Sequence, residues 1–392
     1  MMKHKYLTII GFIFFIALPT INYKWNIIKV DIVDEKRQKA SLIQNTLLEL
    51  YKKPSTYIQI EKYYNDNFPL RDLFLRLNGQ FEYSIFGRSK EVIVGDNGWL
   101  SDKKLSTVQI AALDKLSDQD IEKAIIKLKK LQTYCNDQGI YFMLVIIPVK
   151  PTVYAKKFPE KLTKREYPIM LEKFQNTLQE NDIPYIDALN ILRSISLQYD
   201  VFYKTDMHFN TIGSTYIAKE IVNHLSRHYM NKDLWDVKTN KGVIKNFNGN
   251  ESSSLPLIYT VNEDAPAWNA EKTNFTQYMY TSNKKVKEYE AYRTTSKDEE
   301  LFPPMMMFGN SFMLTYPSVG LLNYFSQSYR VLDYEYFRSV LDYIEPKNKI
   351  FILHVYETQL LFHIMDEKSN YWDKRIDALP LPDKFIYKVK NK

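Results

Sequence analysis

The sequence is short of cysteine. Cys135 is the only cysteine among 392 residues, so no disulfide can form within the chain. It lies in a predicted amphipathic helix with no base beside it, which indicates a buried structural thiol rather than a nucleophile. A chain of this length can be stable without disulfides, so their absence does not exclude export from the cytoplasm.

The chain also lacks a dense block of basic residues in its body. Lysine and arginine total 53 against 46 acidic residues, and the net charge of +7 is spread along the sequence. No nucleic-acid-binding motif accompanies this charge, so we expect no nucleic-acid partner. A mild positive excess is compatible with an anionic polymer or a membrane surface.

No apolar run clearly reaches the ~20 residues of a typical membrane span. The longest lies at residues 6–21, preceded by Lys3 and Lys5 and followed by two aromatic residues. Because no small-x-small cleavage site follows, we expect residues 1–25 to be a retained single-pass anchor, with secretion after signal cleavage as the alternative. The basic flank predicts that the rest of the chain lies outside the cytoplasm, in the periplasm or the extracellular space.

The rest of the chain divides into a predicted stalk and a predicted globular domain. Residues 26–57 have a polar, helix-like pattern that indicates a membrane-proximal stalk. The globular domain is expected at residues 58–392. Within it, Val92–Leu100 predicts two short strands joined by an Asn-Gly turn, and residues 231–304 are predicted to be an irregular polar insertion.

After the hairpin, helical segments alternate with buried strands. Helices are predicted from Ser117 to Gly139, around residues 170–179 and at residues 211–229. Continuous apolar runs predict strands at Tyr141–Pro148, Pro184–Asp187, Met305–Phe308 and Lys349–Val355. This alternation predicts an α/β fold with an open, mostly parallel sheet and helices on both faces.

Two segments far apart in sequence carry the most reactive side chains. Lys204–Asn210 places Asp206 two residues before His208, in a loop that leads into a helix. Met307–Phe312 ends an apolar run with Gly-Asn-Ser, a turn that exposes Ser311 at the carboxyl edge of the predicted sheet. Together the segments can supply a nucleophile, its base and the carboxylate that orients the base.

Simpler interpretations of both segments remain open. An Asp-x-His sequence is often an ordinary helix entry, with Asn210 or Thr211 as the expected N-cap. Ser311 could likewise be only an N-cap. If a helix starts at Ser311, however, its first N–H groups would point at developing negative charge, as the donors of an oxyanion hole do.

The remaining histidines offer weaker candidates. His224 and His228 have the i, i+4 spacing of metal ligands, but no acidic or third ligand adjoins them. His354 lies inside an apolar strand and is interpreted as a core residue. The sequence therefore predicts neither a metal nor a cofactor.

Several motifs in a fixed order resemble the alginate O-acetyltransferase family, whose catalytic domain is similar to SGNH hydrolases. The resemblance extends over roughly residues 58–362. Chain order is also similar, because the aspartate and histidine precede the serine. The motifs are Phe68–Arg71, Val92–Leu100, Pro148–Tyr154, Thr205–Asn210, Gly309–Phe312 and Ile350–Leu360.

The resemblance implies roles for three residues: Ser311 as nucleophile, His208 as base and Asp206 as its orienter. The chain departs from the family pattern at two places. Asn310 stands where aspartate is common, which leaves the triad intact. A Thr-Gln pair replaces the arginine-containing form often seen after Glu357, so Glu357 is not predicted to be catalytic.

The implied activity is extracytoplasmic O-acetylation of a cell-surface or secreted polysaccharide through an acetyl-serine intermediate. The resemblance also implies a polysaccharide acceptor and a multipass membrane-bound O-acyltransferase as acetyl donor, because acetyl-CoA is cytoplasmic. Two alternatives remain. One is a carbohydrate acetyl esterase with the same triad, and the other is a non-catalytic polysaccharide-binding or assembly subunit.

Overall fold

The computed structural model describes residues 2–33, 38–41, 54–165, 169–230, 234–281, 289–295, 301–332, 337–360, 364 and 372–388. The chain divides into two compact units, Met1–Ser89 with Ser253–Thr260, and Lys90–Ser252 with Val261–Lys392. Much of the predicted stalk, including residues 42–53, lies outside the described residues. The predicted domain start at residue 58 lies inside the first unit and stays a prediction.

In the residues that the structure describes, the first unit contains the helices α1 (Met2–Trp25), α2 (Pro54–Asn67) and α3 (Arg71–Phe86). Helix α3 ends at Gly87, which has a left-handed φ of 57° and bonds the carbonyls of the last turn. Arg76 Nη1 donates to the carbonyl oxygen of Leu257 at 2.8 Å. This bond joins α3 to the distant segment of the same unit.

Helix α1 coincides with the predicted membrane anchor. Among the residues that the structure describes, however, no helix is long and apolar enough to cross a membrane.

The second unit contains eleven strands in the described ranges. They are β1 (Val92–Val94), β2 (Leu100–Asp102), β3 (Tyr141–Ile147), β4 (Tyr185–Ile186), β5 (Thr239–Phe247), β6 (Glu263–Ala270), β7 (Phe275–Tyr280), β8 (Tyr289–Thr294), β9 (Met305–Gly309), β10 (Gln327–Leu332) and β11 (Ile350–Tyr356). Seven of them form one sheet with the order β4-β3-β11-β9-β10-β8-β7.

Helices beyond residue 90 connect and cover these strands. They are α4 (Ile110–Leu113), α5 (Asp118–Asp137), α6 (Lys150–Val153), α7 (Glu160–Thr163), α8 (Met170–Glu180), α9 (Ala188–Ile195), α10 (Thr211–Tyr229), α11 (Asn250–Ser253) and α12 (Glu357–Gln359). A capping box between Ser117 and Asp120 starts α5, as predicted. Helices α5 and α9 pack against β3.

The sheet is mixed: parallel strands form its larger part, as predicted, and two antiparallel strands that were not predicted extend one edge. Strands β4, β3, β11, β9 and β10 are parallel, and these include all four predicted strands. Strands β8 and β7 extend the sheet in antiparallel fashion. Antiparallel neighbours need no crossover helix and can expose one face, so they lack the continuous apolar run that identified the others.

The segment predicted to be irregular, residues 231–304, instead contains strands β5 to β8. Strands β5 and β6 pair as a separate antiparallel ribbon. Almost every residue of β5 is exposed, so its sequence is polar and has no apolar alternation. The prediction of irregular structure was wrong because it relied on that alternation.

The predicted hairpin at residues 92–100 is confirmed. Strands β1 and β2 pair antiparallel, and Asn97 and Gly98 form the turn with left-handed φ values of 52° and 80°. Strands β9 and β11 are buried along their whole length and form the centre of the core. Cys135 is buried in α5, and burial raises the pKa of its thiol, which fits a structural role.

Candidate active site

The loop that carries Asp206 and His208 is closed by backbone pairing. Phe202 and Phe209 form an antiparallel bridge across it. The N–H of Tyr203 donates to the carbonyl oxygen of His208 at 3.2 Å. Both bridging phenylalanines are buried, so the loop is anchored by apolar side chains while its tip presents polar groups.

Asn210 fixes the exit of this loop and starts α10. Its side-chain Nδ2 donates to the carbonyl oxygens of Asp200 and Phe202 at 2.6 and 3.3 Å. Its Oδ1 accepts the N–H groups of Ile212 and Gly213 at 2.9 and 3.2 Å. Asn210 is therefore the N-cap, and the carboxylate of Asp206 and the imidazole of His208 are available for other bonds.

Ser311 follows β9 directly, at the carboxyl edge of the parallel strands. Gly309 ends β9, and a Cβ there would lie 1.9 Å from the carbonyl oxygen of His354, so only glycine fits. Ser311 opens a short helix, as predicted, and this helix is a 3₁₀-helix at Ser311–Thr315. Its N-cap is Asn310, whose Oδ1 accepts the N–H of Phe312 at 3.2 Å. The serine hydroxyl is therefore not the cap, and one N–H expected for an oxyanion hole is already engaged.

Asp206, His208 and Ser311 lie in one hydrogen-bonded chain. The imidazole Nδ1 of His208 is 2.6 Å from Asp206 Oδ1, and Nε2 is 2.6 Å from Ser311 Oγ. An ionised carboxylate can only accept, so the proton lies on Nδ1 and Nε2 accepts from the serine hydroxyl. This arrangement can remove a proton from Ser311 as its oxygen attacks a carbonyl carbon.

The carboxylate of Asp206 is stabilised in its ionised form. Its side chain is 10% exposed, and burial alone would raise its pKa. Hydrogen bonds from the ring and backbone of His208, together with the N–H of Asn250 on Oδ2 at 2.9 Å, outweigh burial and hold the pKa below its usual 3.8. Asp206 is therefore charged at neutral pH and can stabilise an imidazolium.

Aromatic side chains cover one side of the triad. The ring of Phe312 lies 4.6 Å from the ring of His208 and 5.0 Å from those of Phe209 and Tyr356. Phe312 and Phe209 are almost completely buried. These rings keep water away from one face of the imidazole.

Glu263, which was not predicted from the sequence, holds the loop before Asp206. Its carboxylate accepts the N–H groups of Lys204 and Thr205 at 3.0 and 2.7 Å and the Thr205 hydroxyl at 2.7 Å. Glu263 begins β6, in the segment predicted to be irregular. Its partners are mainly backbone groups, so no sequence pattern could have identified it.

A second missed contact comes from residues 249–252. The N–H groups of Glu251 and Ser252 donate to the carbonyl oxygen of Thr205 at 3.1 and 3.2 Å, and that of Gly249 donates to the Thr205 hydroxyl at 3.2 Å. A Cβ on Gly249 would lie 2.3 Å from the same carbonyl oxygen, so the close approach requires glycine. The predicted insertion thus supplies backbone donors to the site.

Glu357 has a supporting role that the sequence left in doubt. It is fully buried, and its carboxylate accepts the N–H of Val149 at 2.8 Å and the Thr152 hydroxyl at 2.9 Å. Arg165 donates to it at 2.7 Å and also pairs with Asp114. Arg165, which was not predicted, is therefore the cation that pairs with Glu357.

Three other histidines of the described residues, His224, His228 and His354, have packing roles. His224 Nε2 is 2.8 Å from the Tyr141 hydroxyl, and His228 stacks on the same ring at 4.1 Å. His354 is completely buried in β11 and bonded through both ring nitrogens, as expected of a core residue.

Comparison with known proteins gives a family match over most of the second unit. Residues 92–328 match the family described as SGNH hydrolase-like domain, acetyltransferase AlgX. Among curated proteins, the chain is 26% identical over 205 residues to a probable alginate O-acetylase AlgJ from Pseudomonas aeruginosa. It is 23% identical over 166 residues to the protein of the same description from Azotobacter vinelandii. These alignments span 50% and 42% of this chain and 49% and 41% of the relatives' own lengths.

Solved structures share the fold. The O-acetyltransferase domain of Pseudomonas putida AlgJ superposes with a TM-score of 0.52 at 15% identity, covering 74% of this chain and 98% of that domain. Bacillus cereus PatB1 superposes with a TM-score of 0.50 at 14% identity, covering 69% of this chain and 97% of PatB1. At this identity the similarity establishes the SGNH-hydrolase-like α/β fold.

Proposed function

The chain belongs to the family of SGNH hydrolase-like acetyltransferases of the AlgX type, and from this membership we propose that it acetylates hydroxyl groups of a polysaccharide outside the cytoplasm. The observation that carries the proposal is the hydrogen-bonded chain from Asp206 through His208 to Ser311. A polysaccharide acceptor is supported by the description of two curated relatives as probable alginate O-acetylases.

The first half-reaction forms an acetyl-serine. Ser311 Oγ attacks the carbonyl carbon of the acetyl donor while His208 Nε2 takes its proton. The bond to the leaving group then breaks, and the imidazolium returns the proton to that group. Asp206 keeps the ring in the required tautomer and stabilises its positive charge.

The second half-reaction moves the acetyl group to the acceptor. A sugar hydroxyl attacks the acetyl carbon of Ser311 and gives its proton to His208 Nε2. The serine oxygen leaves with that proton, and an acetylated sugar is released. If water takes the place of the sugar, the same site is an acetyl esterase.

The donor and the location follow from the same chemistry. Acetyl-CoA is confined to the cytoplasm, so an enzyme outside needs acetyl groups from a membrane partner, and a multipass membrane-bound O-acyltransferase fits that need.

Attachment of the chain through residues 1–25 stays a prediction. Protease added to spheroplasts is expected to digest the chain, and protection of the folded domain would contradict an extracytoplasmic location.

The experiment that tests the function measures where the acetyl group goes. The purified chain is incubated with an activated acetyl ester, with and without oligosaccharides, and the acetylated sugar and free acetate are quantified. A transferase gives acetyl-sugar that increases with oligosaccharide concentration. Acetate as the sole product with every sugar would favour the esterase, and no turnover of the ester would favour a non-catalytic subunit.

A further inference from the structure

Lys150 is a completely buried lysine in the motif that follows β3. Its side chain is 1% exposed. Its Nζ donates to the carbonyl oxygen of Leu100 at 2.6 Å and to that of Lys204 at 3.1 Å. Lys204 lies two residues before Asp206, so the ammonium is bonded to the backbone of the loop that carries the orienting carboxylate.

The loop is thus held from several directions. Lys150 binds the carbonyl of Lys204, whereas Glu263 binds the N–H groups of Lys204 and Thr205. The N–H of Asn250 binds the second oxygen of Asp206. Lys150 is the cationic member of this set of contacts.

Carboxylates surround Lys150. Burial lowers the pKa of its amine, and Glu251, Asp206 and Glu263 act in the opposite direction. Glu251 is 4% exposed, and neither of its oxygens has a hydrogen-bond partner within the described part of the chain. Asp102 and Tyr356 also face Glu251.

We propose that Lys150 is a positioning residue of the triad, whose buried ammonium fixes the Lys204–Asp206 loop and adds a positive charge to the bonds from His208 and Asn250 that favour ionised Asp206. The inference rests on the proposed acetyl transfer by Ser311. Burying an ammonium in this apolar environment is costly unless its charge is compensated. The compensating groups here are the carboxylates that surround the triad loop.

The test compares Lys150→Gln with wild type in the full chain. Glutamine can still donate to a carbonyl but carries no charge. The rate of Ser311 acetylation by p-nitrophenyl acetate is measured from about pH 3 to about pH 9, a range that extends down towards the titration of Asp206, and folding is checked at each pH by thermal melting. We expect a rate about 10- to 100-fold lower at neutral pH and an acid limb displaced upward by about one pH unit.

Two further variants separate charge from packing. Lys156→Gln is the matched control, because Lys156 is exposed and lies six residues further along the same segment, and we expect its profile to match wild type. Lys150→Arg retains a cation, so its acid limb is expected to stay at the wild-type pH even where its rate falls. This variant also decides the question if Lys150→Gln fails to fold. An acid limb of Lys150→Arg displaced by about one unit would overturn the proposal.

A double-mutant cycle tests whether Lys150 acts through Asp206. If it does, Lys150→Gln costs less than about threefold in an Asp206→Asn background. An equal loss of rate in the wild-type and Asp206→Asn backgrounds would show that Lys150 has a merely structural role. A loss of rate in Lys150→Gln with the acid limb at its wild-type pH would show the same. If wild type forms no adduct at Ser311, the proposed function fails. If wild type and Lys150→Gln form it at equal rates, only the positioning role fails.

Discussion

The imidazole Nδ1 of His354 donates a hydrogen bond to Asn310 Oδ1 at 3.1 Å, which ties the residue before Ser311 to strand β11. The Tyr316 hydroxyl donates to the other ring nitrogen at 2.9 Å. Asn310 Nδ2 in turn donates to Gln359 Oε1 at 2.9 Å. The position of Ser311 therefore depends on a neutral, completely buried histidine.

His354 is expected to make the fold sensitive to acid. Burial lowers its pKa from 6.5 to about 3. Between pH 6.5 and 3 the imidazole of His354 binds a proton in the unfolded chain but not in the folded chain. This contribution to stability is therefore present above pH 6.5 and is lost as the pH falls towards 3. The loss amounts to at most about 5 kcal/mol.

Urea unfolding at a series of pH values tests this expectation. His354→Gln is expected to be less stable than wild type at neutral pH, because it loses buried hydrogen bonds. The free energy of unfolding of His354→Gln should therefore fall less than that of wild type as the pH is lowered from 6.5 towards 3. Parallel stability curves for the two proteins would contradict the assignment.

Glu251 is expected to have the opposite effect on stability, because its contribution is lost as the pH rises. Burial raises its pKa from 4.5 to about 7. The folded chain then holds a proton that the unfolded chain releases, so this contribution is present below pH 4.5 and is lost as the pH rises through 7. Glu251→Gln removes the loss, and it should stabilise the protein above pH 7 by up to about 3 kcal/mol relative to wild type. If the difference in stability between Glu251→Gln and wild type did not change with pH, the expected contribution of Glu251 would be contradicted.

The sequence revealed the centre of the sheet because burial there leaves a simple signal. Strands β3, β9 and β11 are covered on both faces, so almost every residue in them is apolar. Asp206, His208 and Ser311 were predicted to lie together for a different reason. They stand in two short motifs, one in the loop before α10 and one just after β9, and the structure brings their side chains within hydrogen-bonding distance.

The supporting residues left no comparable signal. Glu263 and Lys150 bind backbone atoms of the loop before Asp206, and those atoms are brought to them only by the tertiary fold. Strand β5 is exposed along its length, so its polar sequence could not be distinguished from an irregular loop. Arg165 reaches Glu357 across 192 residues of sequence.

Gly309→Ala is expected to disrupt the site by steric contact. The added methyl group would lie 1.9 Å from the carbonyl oxygen of His354, an atom of the neighbouring central strand. Either β9 or β11 must move, at a cost of about 3 kcal/mol or more. Chemical denaturation measures the loss, and Gly98→Ala in the turn of the hairpin, where a Cβ meets no atom within 4 Å, shows the cost of a left-handed φ alone. Equal losses in the two variants would contradict the steric account.

Asp206→Asn is expected to lower the rate of acetyl transfer by about 10⁴-fold in a protein that still folds. The amide cannot hold His208 in the tautomer that accepts the serine proton. Adding His208→Ala should then cost little more, because residues that act in one step are strongly non-additive. Steady-state rates of the two single variants and the double variant give the answer. Additive losses would show that Asp206 and His208 act independently.

The central claim is that Ser311 carries the acetyl group between donor and acceptor. The most direct measurement is intact-mass analysis with peptide mapping after brief exposure of the full chain to an activated acetyl ester, followed by a chase with oligosaccharide. The proposed mechanism predicts one acetyl group on Ser311, none in Ser311→Ala, and loss of the adduct during the chase with matching formation of acetyl-sugar. An acetyl group on another residue, or undiminished transfer by folded Ser311→Ala, would contradict it.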